Sequence, residues 1–420
     1  MTSVLEICQQ AKTASHALSK STSQQRNQVL LTLVDILQNR QARILEQNLA
    51  DCEEVRSKGL NPALLERLKL DEKRIAAMAD GVQVVAALPD PLDQRCGQKE
   101  LPNGLHIYKQ HVPLGVLAVI YESRPNVTID VAALAIKSGN AVILRGGKET
   151  LRTNAVLVDC VQTAMQKIDI PSAAVQFIND PDHSLVEELL GMYPYVDMLI
   201  PRGGADLHRY CREHSRIPVI TGGIGICHLF IDESADQSRA LEVIANAKIQ
   251  RPTVCNALDT VIVHERIAAA FLSLLIDRTK KEKVTLHIPS DLLQILMIDS
   301  WEYIQQISEG DYDKEWLSLD LSVKVVRNVD EAITFIGKHS TGHSDGILTE
   351  NDANAAHFLR MVDSAVVYVN ASTRFTDGAE LGLGAEVAIS TQRLHARGPM
   401  ALQELTTYKW VVKGNYHTRV

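Results

Sequence analysis

Two almost unbroken apolar runs, LGVLAVIY at 114–121 and AVILRG at 141–146, constrain this chain more than any other feature. A strand with polar residues at alternate positions has one face in water, whereas one without them is covered on both faces. Between the runs lies VTIDVAALAIKSG (127–139), apolar on nearly all sides, with Gly139 placed to end it. Strand, helix and strand of this kind form a βαβ unit in a parallel sheet. The alternation continues with a helix near 148–168, a strand near 174–178, a helix near 183–192, a strand near 196–200, a helix near 204–214 and a strand near 217–221. This pattern predicts a doubly wound α/β domain, an architecture that binds ligands at the carboxyl ends of its strands.

A second α/β series follows a helix near 235–250. It has strands near 257–264, 322–327, 345–349 and 365–369, with helices near 265–280, 329–339 and 351–362. The first ninety or so residues read as helices, with Val29, Leu30, Leu33, Val34 and Leu37 at helical spacing and Asn61-Pro62 as a helix start. Leu88–Leu92, with two prolines, marks a linker. LHIYKQHV (105–112) alternates as an exposed strand should, and the tail LTTYKWVVKG (405–414) could pair with that ribbon or with another subunit. A chain of 420 residues suits two or three such domains.

Charge and composition exclude several classes. With 45% hydrophobic and 22% charged residues the chain is globular, and a net charge of −8 gives no global attraction to nucleic acid or an anionic membrane. The opening MTSVLEICQQAKTASHALSK lacks the apolar core of a signal peptide, and no apolar run approaches a membrane span, so a cytoplasmic protein is expected. Seven dispersed cysteines without a C-x-x-C pair argue against a disulfide framework or structural zinc. No metal site is expected: His339 and His343 are four apart, but Ser-Thr-Gly lies between them and no Glu accompanies them.

Cys255, in AKIQRPTVCNALDTVIV, follows a helix stopped by Pro252 and precedes a buried strand. It reads either as a small core residue or as a nucleophile, with Lys248 and Arg251 near enough to lower a thiol pKa. In YESRPNVT (121–128), at the end of the first strand, Arg124 suits a phosphate or carboxylate. Asn126 suits either a donor to an oxyanion or a helix cap. Two Arg-Gly-Gly turns, Arg145-Gly146-Gly147 beside Lys148 and Arg202-Gly203-Gly204, bring backbone and cations toward a phosphorylated cofactor. TGGIGICH (221–228) is a glycine-rich crossing without a carboxylate. NASTRFTDG (370–378) is a polar loop offering Ser372, Thr373 and Arg374 to a substrate.

At this point long segments resemble a known family. YESRPNVTIDVAALAIKSGNAVILRGGKE, IPRGGADLH, IPVITGGIGICH, QRPTVCN, TGHSDGILTE and YVNASTRFTDGAELGLGAEVAISTQRLHARGPMALQELTTYKW are similar to the gamma-glutamyl phosphate reductases of the aldehyde dehydrogenase superfamily. The resemblance covers essentially the whole chain. It implies the aldehyde dehydrogenase-like fold, two doubly wound α/β domains plus a small β oligomerisation arm. The corresponding boundaries are 1–97 and 114–249 for the NADPH-binding domain, 250–400 for the catalytic domain, and 98–113 with 401–420 for the arm.

It also implies NADPH as reductant and L-glutamate 5-phosphate as substrate, in the second step of proline biosynthesis, with a homo-oligomer and transient contact with glutamate 5-kinase. Cys255 then matches the nucleophile, and Asn126 the asparagine that forms an oxyanion hole with the nucleophile's backbone N–H. Arg145, near Lys148, matches a cofactor-contacting lysine. Arg202, Gly203 and Gly204 match the phosphate-side turn, and Gly222 and Gly223 join the cofactor-binding set. Oxidising relatives carry a glutamate before the latter Gly-Gly, as the base that activates water. Here Ile220-Thr221 stands there, as suits an enzyme in which hydride rather than water must reach the acyl carbon. Two rivals stay open on the residues: oxidation of an aldehyde to a free acid, and a scaffold that binds cofactor without catalysis.

Overall fold

The computed structural model describes residues 2–59, 62–222, 224–296 and 302–419. The chain forms helices α1 (Val4–Leu18), α2 (Ser23–Asn39), α3 (Gln41–Ser57), α4 (Pro62–Leu68) and α5 (Glu72–Ala87), then strands β1 (Arg95–Glu100) and β2 (His106–Pro113). There follow β3 (Val116–Tyr121), α6 (Pro125–Lys137), β4 (Ala141–Arg145), α7 (Leu151–Lys167), β5 (Val175–Phe177), α8 (Ser184–Leu190), β6 (Met198–Arg202) and α9 (Ala205–His214). The second series is β7 (Cys227–Ile231), α10 (Gln237–Ile249), β8 (Leu258–His264), α11 (Glu265–Thr279), β9 (Thr285–Ile288), α12 (Ser290–Leu296), β10 (Ile304–Gln306) and β11 (Asp320–Val326). It continues through α13 (Val329–His339), β12 (Ser344–Leu348), α14 (Asp352–Met361) and β13 (Val366–Val369), and the short strands β14 (Ala388–Ser390) and β15 (Gly398–Met400) precede β16 (Thr406–Lys413).

Two compact units result: Met1–Thr221 with Gly382–Ala388 and Pro399–Val420, and Gly222–Leu381 with Ile389–Gly398. In the first, a four-stranded parallel sheet runs β5-β4-β3-β6. Every residue of β3 and β4 is buried, as their composition requires. Gly139 adopts φ +76 just beyond α6, a conformation glycine enters without strain, and so ends the helix as expected. The amino-terminal helices cover this sheet, α2 packing on α5 and α7 while α1 packs on β4. Helices α1 and α2 start with reciprocal capping boxes, Ser3 with Glu6 and Thr22 with Gln25. The tail does pair with the ribbon: β16 runs antiparallel to β2 through eight residue pairs, in a sheet ordered β1-β2-β16.

The second unit holds seven strands in the order β10-β9-β11-β8-β7-β12-β13, each neighbouring pair parallel. Alternate side chains of β7 enter opposite cores. Leu229 and Ile231 pack with Ile244 of α10 and Phe271 of α11, and Phe230 packs with Ile336 of α13 and Phe358 of α14. Fully burying one such side chain contributes roughly 1.5–3 kcal/mol.

Three expectations need correction. The segment 217–221 is no strand, because only Val219 bridges to Leu199, and Pro218 lacks the N–H that continued pairing needs. Cys227 and His228, expected within the crossing 221–228, open the buried strand β7. That strand carries 222–249 into the second unit, so the compact units divide at Thr221/Gly222 and not at 249/250. The helix expected at Asn61-Pro62 is α4, although Asn61 itself lies outside the described residues. Among the described residues no helix is long and apolar enough to cross a membrane.

Candidate active site

In the second unit the thiol-bearing turn is short and closed. Ala257 N donates to Val254 O (3.0 Å), which places Cys255 and Asn256 at the two central positions immediately before β8. Cys255 is half-buried. Its carbonyl oxygen accepts from Cys227 Sγ at 3.3 Å. The Cα of Gly225 lies against the same carbonyl, where a Cβ would stand 1.6 Å from the oxygen. Only glycine fits there.

The segment that backs the turn is itself anchored by three side chains. Gly225 N donates to Glu315 Oε1 (3.0 Å), Ile226 N to Thr341 Oγ1 (3.0 Å) and Cys227 N to Asp259 Oδ2 (3.3 Å). Burial pushes the Glu315 carboxyl up to about 7, and Gly225 N pulls it back only in part. Burial likewise raises Asp259 to about 6, against the pull of Lys248. Burial also raises the Cys227 thiol well above its ordinary range, so Cys227 serves here as a neutral donor. Lys248 is buried, with its ammonium 3.7 Å from Asp259 Oδ1.

Ser372, Thr373 and Arg374 do converge on this turn. Arg374 Nε donates to Gln250 Oε1 (3.0 Å) and its Nη1 to Asn256 Oδ1, on either side of Cys255 in the chain. Burial, then the nearby Arg251, lowers the Arg374 pKa, while Cys255 is among the groups that raise it. The two hydroxyl residues are buried. Thr373 Oγ1 donates to Asn256 O (2.8 Å), and Ser372 Oγ accepts from Arg374 N (3.3 Å). They hold the loop that carries Arg374. His339 and His343 have separate partners, Asp313 and Ser344.

In the first unit the candidate residues gather at the carboxyl ends of β3, β4 and β6. Ser123 turns the chain with φ +26, a strained value for a residue other than glycine. Pro125 occupies the first position of α6, which makes exposed Arg124 the cap residue, without a side-chain cap bond. Asn126 is therefore not the cap. It sits in the first turn and donates from Nδ2 to Asp130 Oδ2 at 3.0 Å.

Glu122 joins the β3 turn to the β6 turn: its N donates to Arg202 O (3.0 Å), and its Oε2 accepts from Gly204 N (3.3 Å). A Cβ on Gly203 would meet that carboxyl carbon at 2.6 Å, whereas one on Gly204 would meet nothing within 4 Å. Gly204 starts α9 without a side-chain cap. Gly146 is required by the buried Asn154, 2.2 Å from where a Cβ would stand, whereas a Cβ on Gly147 would meet the carboxylate of Glu149 at 2.8 Å and the backbone N of Ser123 at 3.2 Å. Arg145 is buried, donating to Gly146 O and Pro181 O (3.0 Å), while Lys148 is exposed. Gly222 lies against the backbone of Ile389, whose carbonyl oxygen would be 2.0 Å from a Cβ. Gly223 lies outside the described residues.

Sequence reasoning missed Gly225, Cys227, Asp259, Glu315, Glu122 and Asp130. Asp130 was within reach, since a carboxylate four residues beyond Asn126 shares its helix face. Glu315, ninety residues from Gly225, leaves no local signal.

The model of the aldehyde dehydrogenase family matches residues 2–291. A gamma-glutamyl phosphate reductase from Yersinia enterocolitica is 53% identical over 405 residues, 96% of either chain. Another, from Glaesserella parasuis, is 52% identical over 416 residues, 99% of either chain. The crystal structure of gamma-glutamyl phosphate reductase from Thermotoga maritima superimposes with a TM-score of 0.96 at 43% identity, covering 99% of this chain and 100% of that one. A propionaldehyde dehydrogenase from Rhodopseudomonas palustris, at TM-score 0.71 and 15% identity over 98% of this chain and 97% of that one, shares the fold.

Proposed function

The chain belongs to the gamma-glutamyl phosphate reductases of the aldehyde dehydrogenase family, and we propose that it reduces L-glutamate 5-phosphate to L-glutamate 5-semialdehyde with NADPH, through a thioester on Cys255. The observation that carries this reading is the braced turn. Gly225 and the Cys227 thiol meet the Cys255 carbonyl, two carboxyl groups anchor the segment that carries them, and Arg374 spans the chain on either side of Cys255.

The Cys255 thiolate attacks the acyl carbon, and the carbonyl electron pair moves onto oxygen. The Asn126 amide and the Cys255 backbone N–H stabilise that oxyanion, and phosphate departs to leave the thioester. The reduced nicotinamide supplies hydride to the acyl carbon when bound. The thiohemiacetal on Cys255 then collapses, releasing aldehyde and thiolate. No carboxylate stands at Ile220-Thr221-Gly222, where oxidising relatives carry the base that activates water, and this favours hydride over water as the group that reaches the thioester. Arg374 and Arg124 are assigned to the anionic ends of the substrate. The start of α9 has no side-chain cap and leaves open space beside the Gly204 Cα, which fits a cofactor phosphate, and Lys148 and Arg202 supply cations.

Assembly follows from β16, which ends its sheet and exposes Tyr408, Trp410 and Val412 at 47%, 55% and 58%. An open apolar edge of this kind favours pairing with a second copy, so we assign a homo-oligomer built on a dimer.

The test is the reverse reaction, NADP reduction with pyrroline-5-carboxylate. Turnover is expected to require phosphate, and Cys255→Ser to lower it by several orders of magnitude with NADPH binding retained. Turnover without phosphate would favour the aldehyde-oxidising rival. More than about a tenth of wild-type activity in Cys255→Ser would remove the thiol from the mechanism.

A further inference from the structure

Helix α6 is buried almost all round. Of its thirteen residues eleven are buried, and the other two, Asn126 and Asp130, stand one turn apart and share a hydrogen bond of 3.0 Å. We propose that Asp130 is a positioning residue for Asn126, holding one N–H of its carboxamide so that the other is presented to the oxyanion of the reaction. This inference rests on the reading of Asn126 as an oxyanion donor.

The chemistry of the pair supports it. A carboxylate accepts hydrogen bonds and donates none, so only the NH2 end of the Asn126 amide can face it. The flipped amide, which would turn Oδ1 toward an anion, is excluded. The amide nitrogen carries two protons, and Asp130 engages one of them. A donor fixed before the reaction need not be ordered during it, and this is the source of oxyanion stabilisation by preorganised groups.

Stability alone gives little reason for a carboxyl group at this position. Burial pushes Asp130 up to about 6, and the bond from Asn126 and the charge of Arg202 offset only part of that. An apolar residue would suit a helix so enclosed, and the same carboxylate is useful if the amide must be aimed.

The experiment measures phosphate-dependent NADP reduction with pyrroline-5-carboxylate for Asp130→Ala, Asp130→Asn, Asn126→Ala and the double variant, with thermal melts on each. Loss of an oxyanion donor costs on the order of 10²–10³ in rate, and a misaimed donor keeps part of its effect, so Asp130→Ala should lose about tenfold in kcat. Its KM for pyrroline-5-carboxylate should stay within about twofold, since ground-state binding is not at issue. Asp130→Asn, the same size and able to accept, should lose less, and it carries the test if Asp130→Ala folds poorly. In the Asn126→Ala background the Asp130 substitution should have almost no further effect, because the group it aims is gone.

A kcat within about twofold of wild type for both Asp130 variants would overturn the inference, as would full additivity in the double variant. Near-normal turnover in Asn126→Ala would instead sink the oxyanion reading itself. A loss confined to Asn126→Ala would leave that reading standing and remove only Asp130.

Discussion

At the carboxyl ends of its strands the four-stranded sheet starts α6 and α9 without side-chain caps, whereas the seven-stranded sheet caps α10, α11, α13 and α14 with Asp236, His264, Asn328 and Asn351. The contrast is sharpest where the strand order reverses, the crevice in which open α/β sheets bind ligands. In the first unit that point lies between β3 and β6, with Gly204 uncovered. In the second it lies between β7 and β12, and Asp232 fills it. Its carboxylate accepts from Ser234 (2.7 Å), Thr349 (2.7 Å) and Asn354 (3.2 Å), and is 1% exposed. At the opposite edge of this sheet Cys255 and Gly225 stand just before β8 and β7. One winding rule thus yields two sheets whose helix starts differ, and we assign ligand binding to the uncapped one and a scaffold role to the capped one.

Among the variants that probe this contrast the largest effect should come from Gly225→Ala. A methyl group 1.6 Å from the Cys255 carbonyl oxygen must displace the turn. Misplacing a reacting group by about 1 Å can cost around 10²-fold in rate, and turnover should fall at least that far. NADPH affinity, which the proposed function assigns to the other unit, should be unchanged within about twofold. Turnover above a tenth of wild type would show that the amino edge of the second sheet does not govern the thiol.

Asp232→Ala should do the reverse, lowering stability by about 2–4 kcal/mol with kcat nearly intact, since several buried groups lose their acceptor. Burial would raise the Asp232 pKa, but hydrogen bonds from Ser234, Thr349 and Asn354 outweigh it and hold the pKa below its usual value. A lowered carboxyl pKa stabilises the fold above the unfolded value near ~3.9, and the contribution disappears as pH falls below it. Melts of wild type and Asp232→Ala should therefore converge in acid. A large kcat loss at neutral pH, without a stability loss, would break the scaffold assignment.

These contrasts were unevenly legible in the sequence. The unbroken apolar runs of β3 and β4 announced a sheet covered on both faces, and Pro125 alone could have moved the α6 cap from Asn126 to Arg124. β7 was hidden because a glycine-rich run leads into CHLFI, so the unit boundary was placed a helix too late. The bracing of Cys255 had no local signature, since Thr341 and Asp259 reach Ile226 and Cys227 from 115 and 32 residues away. The Arg-Gly-Gly turns were visible, but their glycines answer partly to neighbouring side chains, Asn154 and Glu122, that sequence spacing does not reveal.

Cofactor choice tests the open sheet more finely. Arg145, Lys148 and Arg202 are all expected to turn toward a phosphorylated cofactor, yet the Arg145 guanidinium donates to Gly146 O and Pro181 O. Arg145→Ala should weaken NADPH and NADH alike and lower the melting temperature. Lys148→Ala should weaken NADPH about five- to tenfold more than NADH, the loss of one exposed charge pair worth about 1 kcal/mol. Equal losses for both cofactors in Lys148→Ala would move the 2′-phosphate elsewhere.

The smallest expected effect is the most direct test of the comparison. Gly204→Ser would give α9 the kind of side-chain cap that the second unit uses. The backbone tolerates it, because Gly204 has extended values (φ −71, ψ 175) and nothing lies within 4 Å of an added Cβ. A serine at this position should gain a few tenths of a kcal/mol in stability by accepting from the first turn of the helix. If that first turn also receives a cofactor phosphate, the new hydroxyl competes for the same N–H groups, and NADPH should bind about threefold more weakly. Stability and affinity would then move in opposite directions from one added side chain. A gain in melting temperature with unchanged NADPH affinity, measured by titration, would show that the open start of α9 is not where the cofactor is held.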